Sequence, residues 1–403
     1  MKTLKIVLLA GVCAFTAASC GDDNNSVVPD NNKLKAIPAA FADQTSAFAF
    51  DFWKKHNAIV AADENYFVSP LSLHIALGML LNGADGKTKE EIQKGLRVSS
   101  DLATTNGIYK DLIENLPISD PKVKNTIANS VWYRKDFKVE DAYLTNLKNY
   151  FNATASGEDF NNTATVGKIN NWASDNTNGK IKKVLETIDP DQVLFLMNAL
   201  YFKGDWKTQF NVENTHDASF TGTKGAKNVK MMNMTENVKY AKRNNYQAIE
   251  LPYGDGNYVM TIILPDKSIE ATLSSLSNSE WQALSAAMKE QKTIIGLPKF
   301  TMEYEADLQK DLTEMGMQTM FTSSADLSKI ASPAGKLMVG MIKQNTYLGI
   351  DEKGTEAAAV TTIGIVVTSL PGYPQFICDH PFLFAISEKQ SNTIMFTGKI
   401  ANL

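Results

Sequence analysis

Between Thr355 and Val367 the alternation of apolar and polar positions predicts a strand with two unlike halves. One side carries Thr355, Ala357, Ala359 and Thr361, then Ile363, Ile365 and Val367; the other carries Glu356, Ala358, Val360, Thr362, Gly364 and Val366. Successive side chains of a strand point to opposite faces. The first face is therefore small at its start and bulky at its end, and the charge of Glu356 can stay in water while that face is buried. Such a segment can lie in the middle of a sheet. Pro371 and Pro374 follow, and because proline brings no amide to a ladder, the pattern predicts an end in a loop and not a return as a hairpin. From pattern alone the stretch also reads as an ordinary strand with an alanine-rich start. Phe376-Ile377-Cys378 reads as buried strand, and His74 lies on an apolar helical run.

The N-terminus follows a different pattern. Lys2 and Lys5 precede and flank the apolar run Ile6-Val7-Leu8-Leu9-Ala10-Gly11-Val12, and Ala17-Ala18-Ser19 stand before Cys20. This is signal-peptide length, too short and too early for a spanning helix. A cysteine after small residues, followed by Gly21-Asp22-Asp23-Asn24-Asn25, looks like a bacterial lipoprotein processing site, although Ala17 stands where a leucine is usual; simple secretion is the alternative. An acylated Cys20 makes the polar stretch to about Lys35 a tether to a membrane. Only Cys20 and Cys378 survive removal of residues 1–19, so lipidation leaves no partner for a disulfide and stability must come from the core. The 403 residues, 44% apolar and 21% charged, can bury a large core and by length alone allow two or three domains. No repeat or internal low-complexity run supports such a division.

Short motifs decide the class. They run in order: Phe67-Val68-Ser69-Pro70-Leu71-Ser72-Leu73; Gly83-Ala84-Asp85-Gly86-Lys87-Thr88-Lys89-Glu90-Glu91-Ile92; Asn129-Ser130-Val131-Trp132; Asn198-Ala199-Leu200-Tyr201-Phe202-Lys203-Gly204-Asp205-Trp206. Met231-Met232-Asn233-Met234, Leu251-Pro252-Tyr253, Leu297-Pro298-Lys299-Phe300, Ala325-Asp326-Leu327-Ser328-Lys329-Ile330 and His380-Pro381-Phe382-Leu383-Phe384 continue the series. Each is weak alone; their collinear order resembles the serpin family along nearly the whole chain after the first forty residues. The resemblance implies an α+β fold with three β-sheets, about eight to nine helices and an exposed reactive-centre loop. It also implies one large domain over 36–403, after a signal peptide at 1–19 and a lipid-anchored tether at 20–35.

Site residues follow from the same resemblance. Glu352, Gly354, Thr355, Glu356, Ala357, Ala358 and Ala359 match the loop hinge; Ser69, Ser72 and Asn198 match the shutter of the main sheet, and Trp206 the tryptophan near the point of insertion. Gln344 stands where many animal members carry histidine, which keeps hydrogen bonding but removes a group titrating near neutrality. The family mechanism cleaves the loop as bait and inserts the hinge into the sheet, dragging the acylated protease along. Small side chains at Thr355, Ala357 and Ala359 suit residues that pass first between closing strands. Thr355 is expected to be exposed before cleavage. Sixteen residues on from Glu352 the bond falls at Thr368-Ser369, while a count back from Pro381 reaches Leu370; Val366 and Val367 are neighbouring alternatives.

No Lys or Arg lies between Thr355 and Ser391 except Lys389, so expected targets are elastase-like, subtilisin-like or papain-like proteases and not trypsin-like ones. The formal net charge of −4 becomes −6 once Lys2 and Lys5 leave with residues 1–19. The region matching the family's glycosaminoglycan-binding helix, Asp101 to Leu116, carries only Lys110; nucleic acid and heparin are disfavoured. His56, His74, His216 and His380 form no metal-binding pattern, and neither a Gly-x-Ser-x-Gly elbow nor a phosphate loop occurs. No catalytic residue, metal or cofactor is expected, and the protein is expected to be a monomer. The leading reading is a suicide inhibitor held at the bacterial cell envelope, or secreted. A non-inhibitory binding protein or chaperone on the same scaffold is the alternative, and an exported hydrolase the distant one.

Overall fold

The computed structural model describes residues 34–331, 337–355 and 372–403. Along the chain come α1 (Ala39–Ile59), β1 (Tyr66–Val68), α2 (Pro70–Leu81), α3 (Gly86–Gly95), α4 (Leu102–Asn115), β2 (Val123–Arg134), α5 (Asp141–Phe151), β3 (Ala153–Glu158), α6 (Thr163–Asn176) and β4 (Leu194–Asp205). The second half holds β5 (His216–Gly222), β6 (Gly225–Lys242), β7 (Tyr246–Tyr253), β8 (Tyr258–Pro265), α7 (Ile269–Ser275), α8 (Asn278–Ala287), β9 (Lys289–Pro298), β10 (Phe300–Asp307) and α9 (Gln309–Glu314). It closes with β11 (Lys343–Ile350), β12 (Gly354–Thr355), β13 (Gln375–Ile377), β14 (Phe382–Glu388) and β15 (Thr393–Ile400). Helices and strands intermix as the α+β class requires, and the nine α-helices among the described residues fall in the expected range.

The strands form two hydrogen-bonded ladders. One runs β10-β11-β12-β4-β2-β3; the other runs β1-β15-β14-β8-β7-β6-β9-β13, with β5 on β6. Two of the three expected sheets are thus continuous, and the cause is the length of β6. Its first part pairs with β5 (Met231 opposite His216), its middle with β9 (Thr235 opposite Ile294) and its end with β7 (Ala241 opposite Ala248). No neighbour is long enough to cover all 18 residues.

Helix α2 sits between the ladders, touching β4 and β15. It is apolar on every side, with Leu71, Leu73, Ile75, Leu77, Met79, Leu80 and Leu81 all buried, the signature of a central helix. Its start is well specified: Pro70 takes the first helical position, where no amide is needed, and the Ser69 hydroxyl accepts from the Ser72 amide at 3.1 Å. Strands β8, β14 and β15 are buried at every position. A smaller apolar cluster, Trp132, Phe160, Ile169, Leu185 and Phe195, joins α6 to the outer face of the six-stranded sheet. The last residue of the expected tether, Lys35, is fixed against α4: its ammonium meets Asp111 (2.7 Å) and Glu114 (2.8 Å), and its backbone exchanges hydrogen bonds with the Asn115 side chain.

Candidate functional site

The six-stranded sheet has a break at its centre. Among the described residues β11 and β4 share no ladder and are joined through the two residues of β12, where Thr355 lies opposite Ile350 on one side and Gly204 on the other. β12 is antiparallel to both, so the chain rises through β11, turns, and heads back down between β11 and β4. Below it opens a cleft of about 720 Å³ that reaches from Ser72 and Leu77 of α2, past Asn198 and Gln344, to Trp172 of α6. Strand β4 lines this cleft from Leu194 to Leu200, which at ~3.3 Å per residue offers roughly 23 Å of strand edge.

The turn above the cleft is tightly held. The Asp351 carboxylate accepts from the amides of Lys353 (2.9 Å) and Gly354 (3.2 Å), and the Asp351 amide donates to the Gly354 carbonyl (3.0 Å). Glu352 is only 4% exposed; its carboxylate takes the Lys299 ammonium at 2.8 Å and the Thr215 hydroxyl at 2.9 Å. Burial pushes the Glu352 carboxyl up, but Lys299, the Glu352 amide and Thr215 together outweigh it and hold it below the usual range. Asp351 goes the other way: burial raises its carboxyl, and the Lys353 and Gly354 amides offset only part of the rise. Gly354 is required by space. A Cβ there would lie 2.1 Å from the Gly204 carbonyl oxygen and 2.7 Å from the Asp205 Cα, both backbone.

Thr355 corrects an expectation. It is 3% exposed and already paired, so the residue expected to be exposed in the uncleaved chain lies inside the sheet instead. The reason is the pocket that awaits it: its hydroxyl lies 2.6 Å from that of Tyr253, whose ring stacks on Trp206 at 4.5 Å between centroids. Trp206 also ties the turn down, its amide donating to the Lys353 carbonyl (2.7 Å) and its indole N–H to the Asp351 carbonyl (2.9 Å). It is at once a buried core residue and a clamp on the turn before Thr355. Glu352 and Gly354 are likewise anchors. Of the remaining hinge positions, Glu356, Ala357, Ala358 and Ala359 lie outside the described residues, as do Cys20 and the candidate bond residues Val366, Val367, Thr368, Ser369 and Leu370.

At the far end, Gln344 does not bridge the cleft. Its side chain pairs with the Ser69 backbone, accepting from the amide at 2.7 Å and donating to the carbonyl at 2.9 Å. The Ser69 hydroxyl donates to the Met395 carbonyl at 2.7 Å. Asn198, on the β4 side, donates instead to Asn129 at 2.7 Å, and Asn129 donates to the Phe151 carbonyl. The residues matched to the shutter therefore divide into two hydrogen-bonded groups, Ser69, Ser72 and Gln344 in one and Asn198 with Asn129 in the other. Asn129, Tyr253 and Lys299 lie in the motif segments, but nothing in those motifs marks them as part of this site. Their partners lie 69, 102 and 53 positions away, and no local pattern announces such a pair.

Three of the four histidines, all but the exposed His216, sit in hydrogen-bonded places. His74 donates to the Leu96 carbonyl and accepts from the Tyr109 hydroxyl; burial, against the Leu96 bond, holds it down at about 4. His56 sits between Asp311 (3.0 Å) and Tyr304 (2.8 Å), and His380 between Asp379 and the Pro265 carbonyl. Both ring nitrogens of these three are engaged. Cys378 is fully buried, and burial pushes its thiol up, away from the thiolate that nucleophilic chemistry needs.

The sequence matches the family described as serpin (serine protease inhibitor) over residues 43–403. Human serpin B11 is 35% identical across 88% of this chain and 97% of its own length, and human neuroserpin 33% across 84% and 86%. Among solved structures, the thermophilic serpin tengpin in its native state gives a TM-score of 0.84 at 32% identity, covering 92% of this chain and 96% of that one. Thyroxine-binding globulin in complex with thyroxine gives 0.81 and 0.82 in two structures, at 25% identity over 90% and 98%. A family match over most of the chain, relatives above 30% identity along nearly their full lengths and a shared fold agree: the chain belongs to the serpin family.

Proposed function

We propose that this protein is a suicide inhibitor of serine endopeptidases of elastase-like or subtilisin-like specificity, with papain-like cysteine proteases as a further target class. The protease cuts after Thr368, or at a neighbouring bond from Val366 to Leu370, and is carried off as the acyl-enzyme when the hinge inserts. The observation that carries this reading is the direction of β12: it already descends between β11 and β4, with an open cleft ahead of it. Continued pairing of Glu356 to Val367 needs only extension of a hairpin that has begun. Thirteen residues from Thr355 to Val367 at ~3.3 Å cover roughly 43 Å, enough to move a protease across the molecule. Family members are in general protease inhibitors and not enzymes, and the engaged histidines and buried Cys378 support the same reading here.

The protein is further proposed to be exported and anchored through acylated Cys20, acting on proteases around the cell. A second reading, a scaffold that binds a ligand without trapping proteases, is favoured by the similarity to thyroxine-binding globulin. One experiment separates them. Mixed with elastase, the inhibitor forms a complex that survives hot detergent; the binding scaffold is merely cleaved.

A further inference from the structure

We propose that Tyr253 is a positioning residue for loop insertion: its hydroxyl and that of Thr355 form a clasp that holds the first hinge residue inside the sheet before cleavage. The role rests on the inhibitory reading above. Tyr253 is completely buried, and its ring has no freedom. Trp206 stacks on it at 4.5 Å, Phe202 meets it edge-on at 5.0 Å, and Gly204 leaves the space it fills, since a Cβ there would lie 3.0 Å from the ring. The hydroxyl is thereby aimed at the slot between β4 and β11. Its one hydrogen-bond partner among the described residues is Thr355, at 2.6 Å.

That geometry makes the slot selective. A buried hydroxyl without a partner is costly, so residue 355 must bring a hydroxyl of its own, and the small β-branched threonine does so without crowding Gly204. While the clasp holds, the hinge cannot swing clear of the sheet. Acylation at the distant bond then meets a strand already started, and insertion competes better with hydrolysis of the acyl-enzyme. Expulsion of Thr355 would orphan Tyr253 and make the loop an ordinary substrate.

The test uses the full protein with Tyr253→Phe, Thr355→Val, the double variant and Thr355→Ser, measured against elastase. Each hydroxyl-deleting single variant is expected to raise the moles of inhibitor consumed per protease trapped by roughly two- to tenfold, the range of one buried hydrogen bond, with the rate of first association unchanged. Thr355→Ser should restore wild-type partition. In the double variant neither hydroxyl is orphaned, so its loss of partition and of melting temperature should be smaller than the sum of the singles. Additive effects, or single variants that trap as well as wild type, would overturn the clasp. Failure of the wild type itself to trap a protease would overturn the inhibitory reading instead, and it is seen before any variant is made.

Discussion

Thr355→Arg tests how much the pre-inserted hinge contributes. The residue is 3% exposed and faces a tyrosine hydroxyl, and an unpaired guanidinium in such a place costs several kcal/mol. That exceeds what one strand residue contributes, so the less costly outcome is for residue 355 to leave the sheet. Its departure removes the bond to Tyr253, worth about 0.5–1.5 kcal/mol, and strands a buried hydroxyl, worth about 1–3 kcal/mol. The intact protein should lose roughly 2–4 kcal/mol. Unfolding entropy near 2.1 cal/mol/K per residue, over about 350 residues, makes each kcal/mol worth ~1.4 °C. Differential scanning calorimetry should therefore show Tm falling by about 3–5 °C. In the same preparation, elastase should cleave the loop and leave without forming a detergent-resistant complex. Unchanged Tm would refute the burial argument, and undiminished trapping would refute insertion through this slot.

Cleavage itself should stabilise: if Ile363, Ile365 and Val367 each gain ~1.5–3 kcal/mol on burial, cleaved protein should melt about 6–12 °C above intact, and equal melting would exclude insertion. Gly354→Ala should displace β12, because the added Cβ collides with backbone at 2.1 Å; a variant that melts and traps like wild type would contradict that packing. The Lys299 contact lowers the Glu352 carboxyl, so it stabilises above the ordinary glutamate pKa and the contribution fades as pH falls through the depressed value. Asp351 is raised by burial, so its penalty at neutral pH is relieved on acidification. The melting difference between wild type and Glu352→Gln should accordingly be full at neutral pH and close in acid; a pH-independent difference would show the ion pair to be silent. Thr368→Arg should confer trypsin trapping, with wild-type cleavage mapping between Val366 and Leu370 by mass spectrometry of the released peptide. A cut elsewhere means a different loop register.

Local pattern carried a good deal of this protein. The period-two alternation from Thr355 to Val367 marks a would-be strand, small first and bulky later, because side-chain direction in a strand depends on nothing beyond the backbone. The apolar run after Ser69-Pro70 announces a buried helix and its cap for the same reason, and collinear motifs identify the family. Sequence could not say whether the hinge starts inside or outside the sheet. That choice turns on one hydroxyl pair between Thr355 and Tyr253, 102 residues apart, and on the room that Gly204 leaves for the tyrosine ring. Nor could it say that Gln344 would turn to the Ser69 backbone while Asn198 turns to Asn129. Elements follow from local periodicity, whereas the state of the sheet is a difference of a few kcal/mol between long-range contacts, which exist only once the chain has folded.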